Sequence, residues 1–297
     1  AVNHMVKEFE MRKSAAEYAR SNISKTGVID TVKMNNYKMT DDIFKRVTIL
    51  PEGKNHGFIM YLDMSGSMSN YMYETVEQLL TLVHFARQIN VPFRVYGFTN
   101  VLFRERDIDW EKEKNDRIKL HNTRGGYHGV AYAEECTLLE LFTDKMNRAD
   151  MTRMSQQLLF AYAQNISGKR WMKEFRPILG HQTRSYNRIP AFQLGGTPLD
   201  HALVIGMQLA QEFRTANRID ILNTILLTDG CSHTLDTTGG TRGLRPYGKE
   251  YCTITNKINN KTYRIKHQPE RNGLCTDILL EMYKDLTGSN VIGYFIE

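Results

Sequence analysis

The 297-residue chain has few of the features that commit a protein to a compartment or a reaction. Its four cysteines, Cys136, Cys231, Cys252 and Cys275, are far apart and form no C-x-x-C pair. That usage suits free thiols in a reducing compartment and argues against a disulfide scaffold. No apolar run approaches the ~18 residues a membrane helix needs, and none at the start reads as a signal segment. The expectation is a cytoplasmic protein with no membrane partner. Catalytic and nucleotide signatures are missing too. There is no G-x-x-x-x-G-K-[ST] loop, no G-x-S-x-G elbow and no H-E-x-x-H helix. These absences exclude an ATP-hydrolysing P-loop and leave little support for catalysis by the chain alone. What remains is the balance of a soluble globular protein, 41% hydrophobic and 24% charged residues.

One stretch organises the rest. Gly57-Phe58-Ile59-Met60-Tyr61-Leu62 is a continuous apolar run without a helical polar stripe, which predicts a strand buried on both faces. It stops at Asp63, and Ser65 and Ser67 follow around Gly66. The Asp-x-Ser-Gly-Ser loop then falls at the strand's C-terminal end, where open α/β sheets bind ligands. A carboxylate and two hydroxyls are hard oxygen donors suited to a divalent cation that keeps several waters. The bland alternative is a serine turn that caps the next helix through Ser67 or Ser69. Gly195-Gly196-Thr197-Pro198 adds a third hydroxyl on a glycine turn, with Pro198 placed to open a helix. Residues 221–227 form a second strand-like run that ends in Thr228-Asp229-Gly230. Two strand ends and one helix start therefore each offer an oxygen of the same hard type.

This set, Asp63, Ser65, Ser67, Thr197 and Asp229, resembles the metal-ion-dependent adhesion site of von Willebrand factor A (VWA) domains. The resemblance spans roughly residues 57–297. It implies an α/β fold, a doubly wound, mostly parallel, Rossmann-like sheet. It also implies Mg²⁺ as the cofactor (Mn²⁺ and Ca²⁺ being the other candidates), with a partner's Asp or Glu completing the coordination shell. Such a site binds, and does not by itself catalyse. An arm reading Gly27-x-Ile29-Asp30-x-x-x-Met34 leads through Phe44-Lys45 to the first strand. It is similar to the CobT-like (cobaltochelatase-subunit-like) VWA proteins of bacteria and tailed phages, which partner MoxR-type AAA+ ATPases. The implied work is that of an adaptor or substrate-recruiting, non-ATPase subunit in a remodelling or metal-insertion assembly.

The remaining segments fit around this frame. Residues 1–50 are expected to form an N-terminal arm without a strand, helical over 5–20 and turn-like from Thr26, with the VWA domain over 51–297. Residues 71–89 carry apolar positions at helical spacing, Asn90 and Pro92 stop that helix, and 93–99 form the next strand. Insertions are expected at about 104–150, mixed in charge, and at 231–271. Residues 138–142, 151–164 and 171–179 are expected to be helices covering one face. Helix 199–214 carries Asp200 in its first turn as a dipole partner. Helix 275–286 and strand 290–296 close the chain.

The second insertion holds eight basic against three acidic residues, nearly the whole formal net charge of +6. A hairpin is expected there about Asn259-Asn260. Its basic face suits an acidic partner or a nucleic acid, and equally a protective sheet edge. A nucleic-acid-associated VWA protein is therefore one alternative reading, and an extracellular adhesin another. Cys231, His233, Cys252, His267 and Cys275 are spaced more loosely than zinc ligands usually are.

Overall fold

A computed structural model describes residues 2–19, 22–29, 44–49, 55–101, 131–132, 136–163, 192–230, 232–233, 235–237, 251–266 and 276–296. The charged stretch 104–124, the helix expected at 171–179 and much of the basic insertion lie outside the described residues. The chain divides into two units, Ala1–Asn55 and His56–Glu297.

In the first unit, helix α1 (Val2–Ala19) precedes an antiparallel pair, β1 (Asn22–Ile29) and β2 (Phe44–Ile49). This corrects the expectation of a strandless arm. Residues 26–29, expected as a turn, belong to β1, and the ladder absorbs an irregularity between Lys25 and Ile29. Pairing with a strand some twenty residues on supplies the order that the local composition does not.

The second unit is built on a five-stranded sheet. Its strands are β3 (His56–Asp63), β4 (Phe93–Thr99), β6 (Thr137–Thr143), β7 (Ile221–Thr228) and β11 (Asn290–Phe295), in the spatial order β11-β7-β3-β4-β6. All neighbours are parallel except β4 and β6. The apolar run of β3 takes the centre, with Ile59 and Leu62 wholly buried. Each such side chain contributes roughly 1.5–3 kcal/mol relative to exposure. Helices α2 (Met72–Gln88) and α3 (Arg148–Ala163) pack on one face. Helices α4 (Leu199–Ala216) and α5 (Thr276–Thr287) pack on the other. The fold is thus mixed α/β, a mostly parallel sheet flanked by helices on both faces.

Local chemistry explains most boundaries. Met72, Val76, Leu79, Leu80, Val83 and Ala86 are the buried stripe of α2, while His84 is exposed. Asn90 follows the helix at φ 52°, the left-handed position that ends helices and that Asn tolerates. Gly288 ends α5 in the same way at φ 60°. Segment 137–143 departs from expectation, being a strand and not a helix. Its Leu and Glu residues favour helix locally, but pairing with β4 and burial of Leu141 and Phe142 override that preference.

Two short antiparallel ladders are also found among the described residues of this unit. One joins β5 (Ala131–Tyr132) to β8 (Asp236–Thr237), and the other joins β9 (Tyr251–Thr255) to β10 (Thr262–Lys266). The second is the expected hairpin, but its loop is longer than two residues. Thr255 pairs with Thr262, Asn256 N–H reaches Lys261 O at 3.0 Å, and Asn260 takes φ 56°.

Candidate metal centre

Strand order places the centre. Leaving β3, the chain moves to β4 on one side and later returns to β7 on the other. The order reverses between β3 and β7, and their C-terminal ends flank the crevice where open α/β sheets hold ligands. Leu62 pairs with Leu227, so Asp63 ends β3 level with the point where β7 hands over to Asp229. Two carboxylates 166 positions apart in sequence thus meet as a consequence of register.

The serine loop crosses between them. Ser67 Oγ donates to Asp229 Oδ1 at 2.9 Å, Ser65 Oγ lies 3.5 Å from the same oxygen, and the two hydroxyls are 3.0 Å apart. Ser65 N–H donates to Asp63 Oδ1 at 2.9 Å. The helix-cap alternative for Ser67 finds no counterpart. Neither the short 3₁₀ turn Ser67–Asn70 nor α2 has a side-chain cap.

Thr197 is brought in by a backbone strap. Gly195 N–H donates to Met64 O at 2.9 Å, and Gly66 N–H donates to Gly195 O at 2.7 Å. A Cβ on Gly230 would sit 3.9 Å from Thr197 Oγ1, which puts that hydroxyl beside the Asp229 turn. The two glycines have a steric reason. A Cβ on Gly195 would collide with Asn100 Oδ1 and crowd Thr99, and one on Gly196 would collide with the His233 ring. Gly195→Ala is therefore expected to cost about 1–3 kcal/mol, the usual range for overpacking, measured by urea unfolding. Unchanged stability would show that the strap is not held this tightly.

Several partners carry no motif signal. Asn100, just beyond β4, accepts the Gly196 N–H through Oδ1 at 2.6 Å. Thr228 Oγ1 donates to Asp63 Oδ2 at 2.5 Å. The one hint in sequence is position, since each lies at the C-terminal end of a predicted strand.

Asp63, Ser65 and Thr197 are buried, Asp229 is half-buried and Ser67 is exposed, so the set meets solvent at Ser67. Burial pushes Asp63 up to about 6, with the Asp229 charge adding to it, and hydrogen bonds from Thr228 and Ser65 hold it from going higher. Among the described residues no Lys or Arg pairs with either carboxylate. Two carboxylates and adjacent hydroxyls without a protein cation form a donor set that fits a hard divalent cation. Hydroxyls can turn their lone pairs inward, whereas both Asp63 oxygens already accept protein donors.

Of the candidate zinc ligands, Cys231, His267 and Cys275 lie outside the described residues, and among the described residues no group of three or more His, Cys, Asp or Glu is placed to hold a metal ion. Cys136 is a half-buried free thiol whose pKa burial pushes up to about 12. Asp200 lies in the first turn of α4 as expected, but it is wholly buried and accepts from Thr276 Oγ1 at 2.5 Å. On the hairpin, Lys261 pairs with Asp285 and, at 3.6 Å, with Glu281, both on α5. Tyr263 also donates to Asp285, at 2.7 Å. No helix among the described residues is long and apolar enough to cross a membrane.

No family model and no curated protein matches the chain. Among solved structures it is similar to the pilus adhesin SpaC from Lactobacillus rhamnosus GG in its open conformation. That likeness has 15% identity and a TM-score of 0.38, over 82% of this chain and 24% of the adhesin. It is also similar to the three N-terminal domains of the type V pili tip protein Mfa5 from Porphyromonas gingivalis. There the identity is 11% and the TM-score 0.32, over 80% of this chain and 30% of the other. The chain spans about a quarter of the adhesin's length, and likenesses this loose carry no inference about function.

Proposed function

We propose that residues 51–297 form a VWA-type module that binds Mg²⁺ and, through it, a partner protein. Asp63, Ser65, Ser67, Thr197 and Asp229 are the residues that hold the cation. The observation that carries this reading is the meeting of Ser65 and Ser67 hydroxyls on Asp229 Oδ1, across more than 160 residues of chain. Bound there, the cation supplies positive charge and an exchangeable position for a partner's Asp or Glu carboxylate. The chain's own residues do the rest. Thr228 and the Ser65 amide fix the Asp63 carboxylate, the Gly195 strap presents Thr197, and the exposed Ser67 leaves the mouth open to a protein surface.

The partnership with a MoxR-type AAA+ ATPase, with this chain as adaptor or substrate recruiter, follows from the CobT-like resemblance. For the nucleic-acid alternative, the described part of the insertion carries exposed Lys257 and Arg264, while Lys261 is engaged by α5. The test is capture by the immobilised chain in Mg²⁺, in chelator, and as Asp63→Ala, with protein and nucleic acid both analysed. We expect an AAA+ ATPase, or a client joined through an acidic side chain, that is captured only with Mg²⁺ and Asp63 together. Capture indifferent to both, or of nucleic acid alone, would overturn the reading.

A further inference from the structure

Helix α4, which begins just after Thr197, lacks a cap of its own. Its N-cap residue is Pro198, which has no side chain able to accept the orphan amides of the first turn. That role falls to Ser232, 32 positions beyond Asp200. Asp200 N–H, the second of the helix, donates to Ser232 Oγ at 2.7 Å. This is the bond an N-cap serine ordinarily makes from within the helix's own segment. The Ser232 hydroxyl in turn donates to His233 O at 2.9 Å, and His233 N–H donates to Thr197 O at 2.9 Å.

These bonds close a ring. It joins residues 197–200 to residues 232–233, and so joins the carrier of Thr197 to the loop that carries Asp229. Ser232 is buried and Asp200 wholly so, which shields the bond between them from competing water, while His233 is exposed. The Asp200 carboxylate extends it to the first residue of α5 through Thr276, and its Oδ2 is buried without a partner among the described residues.

We infer that Ser232 is a positioning residue of the metal centre, holding Thr197 and Asp229 at the spacing a cation requires. This inference rests on the proposed Mg²⁺ site. A local cap would stabilise α4 equally well. A cap borrowed from the Asp229 loop makes helix start and loop one unit, so a ligand on each side is placed by the same hydroxyl. Groups that orient metal ligands without touching the metal typically govern 10–100-fold in affinity.

The experiment is titration of the purified chain with Mg²⁺ alone, followed by calorimetry, with metal-free urea unfolding as an independent readout. Ser232→Ala is expected to weaken Mg²⁺ binding about tenfold or more. Ser232→Thr, which keeps the hydroxyl, is expected to restore it. Should Ser232→Ala fail to fold, Ser232→Cys, of similar size and a weaker acceptor, is read in the same way. Loss of stability with Mg²⁺ affinity unchanged would make Ser232 a helix cap and nothing more, and would overturn the inference. Absence of Mg²⁺ binding by the unaltered chain would instead overturn the metal site itself, so the two failures are distinct.

Discussion

Asp229→Asn is expected to abolish stabilisation of the protein by Mg²⁺ without lowering its metal-free stability. The substitution keeps the size of the side chain and leaves an amide oxygen where Ser67 and Ser65 donate. It removes a charge that the protein does not otherwise need. The Asp229 carboxylate is one of the causes that lift Asp63, so the two repel in the folded state. Neutralising one relieves that repulsion, and the metal-free variant should be as stable as the parent or more so. With Mg²⁺ the order reverses. A ligand that binds only the folded state adds about 2.7 kcal/mol at a concentration one hundred times its Kd. For a domain of this size that is a rise in Tm of several degrees. The parent should show it and Asp229→Asn should not. Thermal unfolding with and without Mg²⁺ decides the matter, and an equal shift in both proteins would remove Asp229 from the metal centre. Replacing a carboxylate that holds the fold together lowers stability along with any binding that depends on the fold. The expected divergence of the two is what separates a ligand from a structural acid.

The parts of this molecule legible in sequence are those where local pattern and tertiary need coincide. The run in β3 is apolar throughout because both faces are covered, and periodicity alone marks it. The stripe of α2, its Asn90 stop and strand β4 were legible for the same reason. Segment 137–143 was not, because Leu-Leu-Glu-Leu satisfies a helix locally and only the partner strand makes it extended. In the first unit, β1 and β2 lack the apolar run that announces a buried strand, and each is ordered by the other. The candidate centre divides along the same line. Asp63, Ser65, Ser67, Thr197 and Asp229 stand out because hydroxyls and carboxylates recur at strand ends and a helix start. Asn100, Thr228 and Ser232 act through single hydrogen bonds to residues that are 96, 165 and 32 positions away. No local pattern encodes such bonds. The missing cap on α4 was not legible either, since Pro198 reads as the residue that opens the helix, whereas it stands at the N-cap.

In metal-free buffer the second unit is expected to lose stability as the pH rises from about 4 to 6, against the usual trend of acid denaturation. Two buried carboxyls cause this. Burial lifts Asp63 to about 6, with Asp229 adding, and burial lifts Asp200 to about 6, with Asp277 adding. In the unfolded chain both return to 3.8. Between those values the folded state binds more protons than the unfolded one, so stability falls with rising pH. The contribution is complete below about 4 and lost above about 6, amounting to roughly 3 kcal/mol per group at 1.36 kcal/mol per pKa unit. The exposed Asp285 does not blur this window. Its hydrogen bonds from Lys261 and Tyr263 hold it below the ordinary value, so its effect falls at lower pH and has the opposite sign. Urea unfolding from pH 4 to 7 measures the slope, and Asp63→Asn and Asp200→Asn should each flatten part of it. Mg²⁺ then distinguishes the two carboxyls. A cation beside Asp63 favours its charged form and should erase that share, while the share from Asp200 persists. A slope untouched by Asp63→Asn would place the buried proton elsewhere. A slope that Mg²⁺ leaves intact, yet Asp63→Asn removes, would mean that Asp63 is buried for the fold and not for a cation.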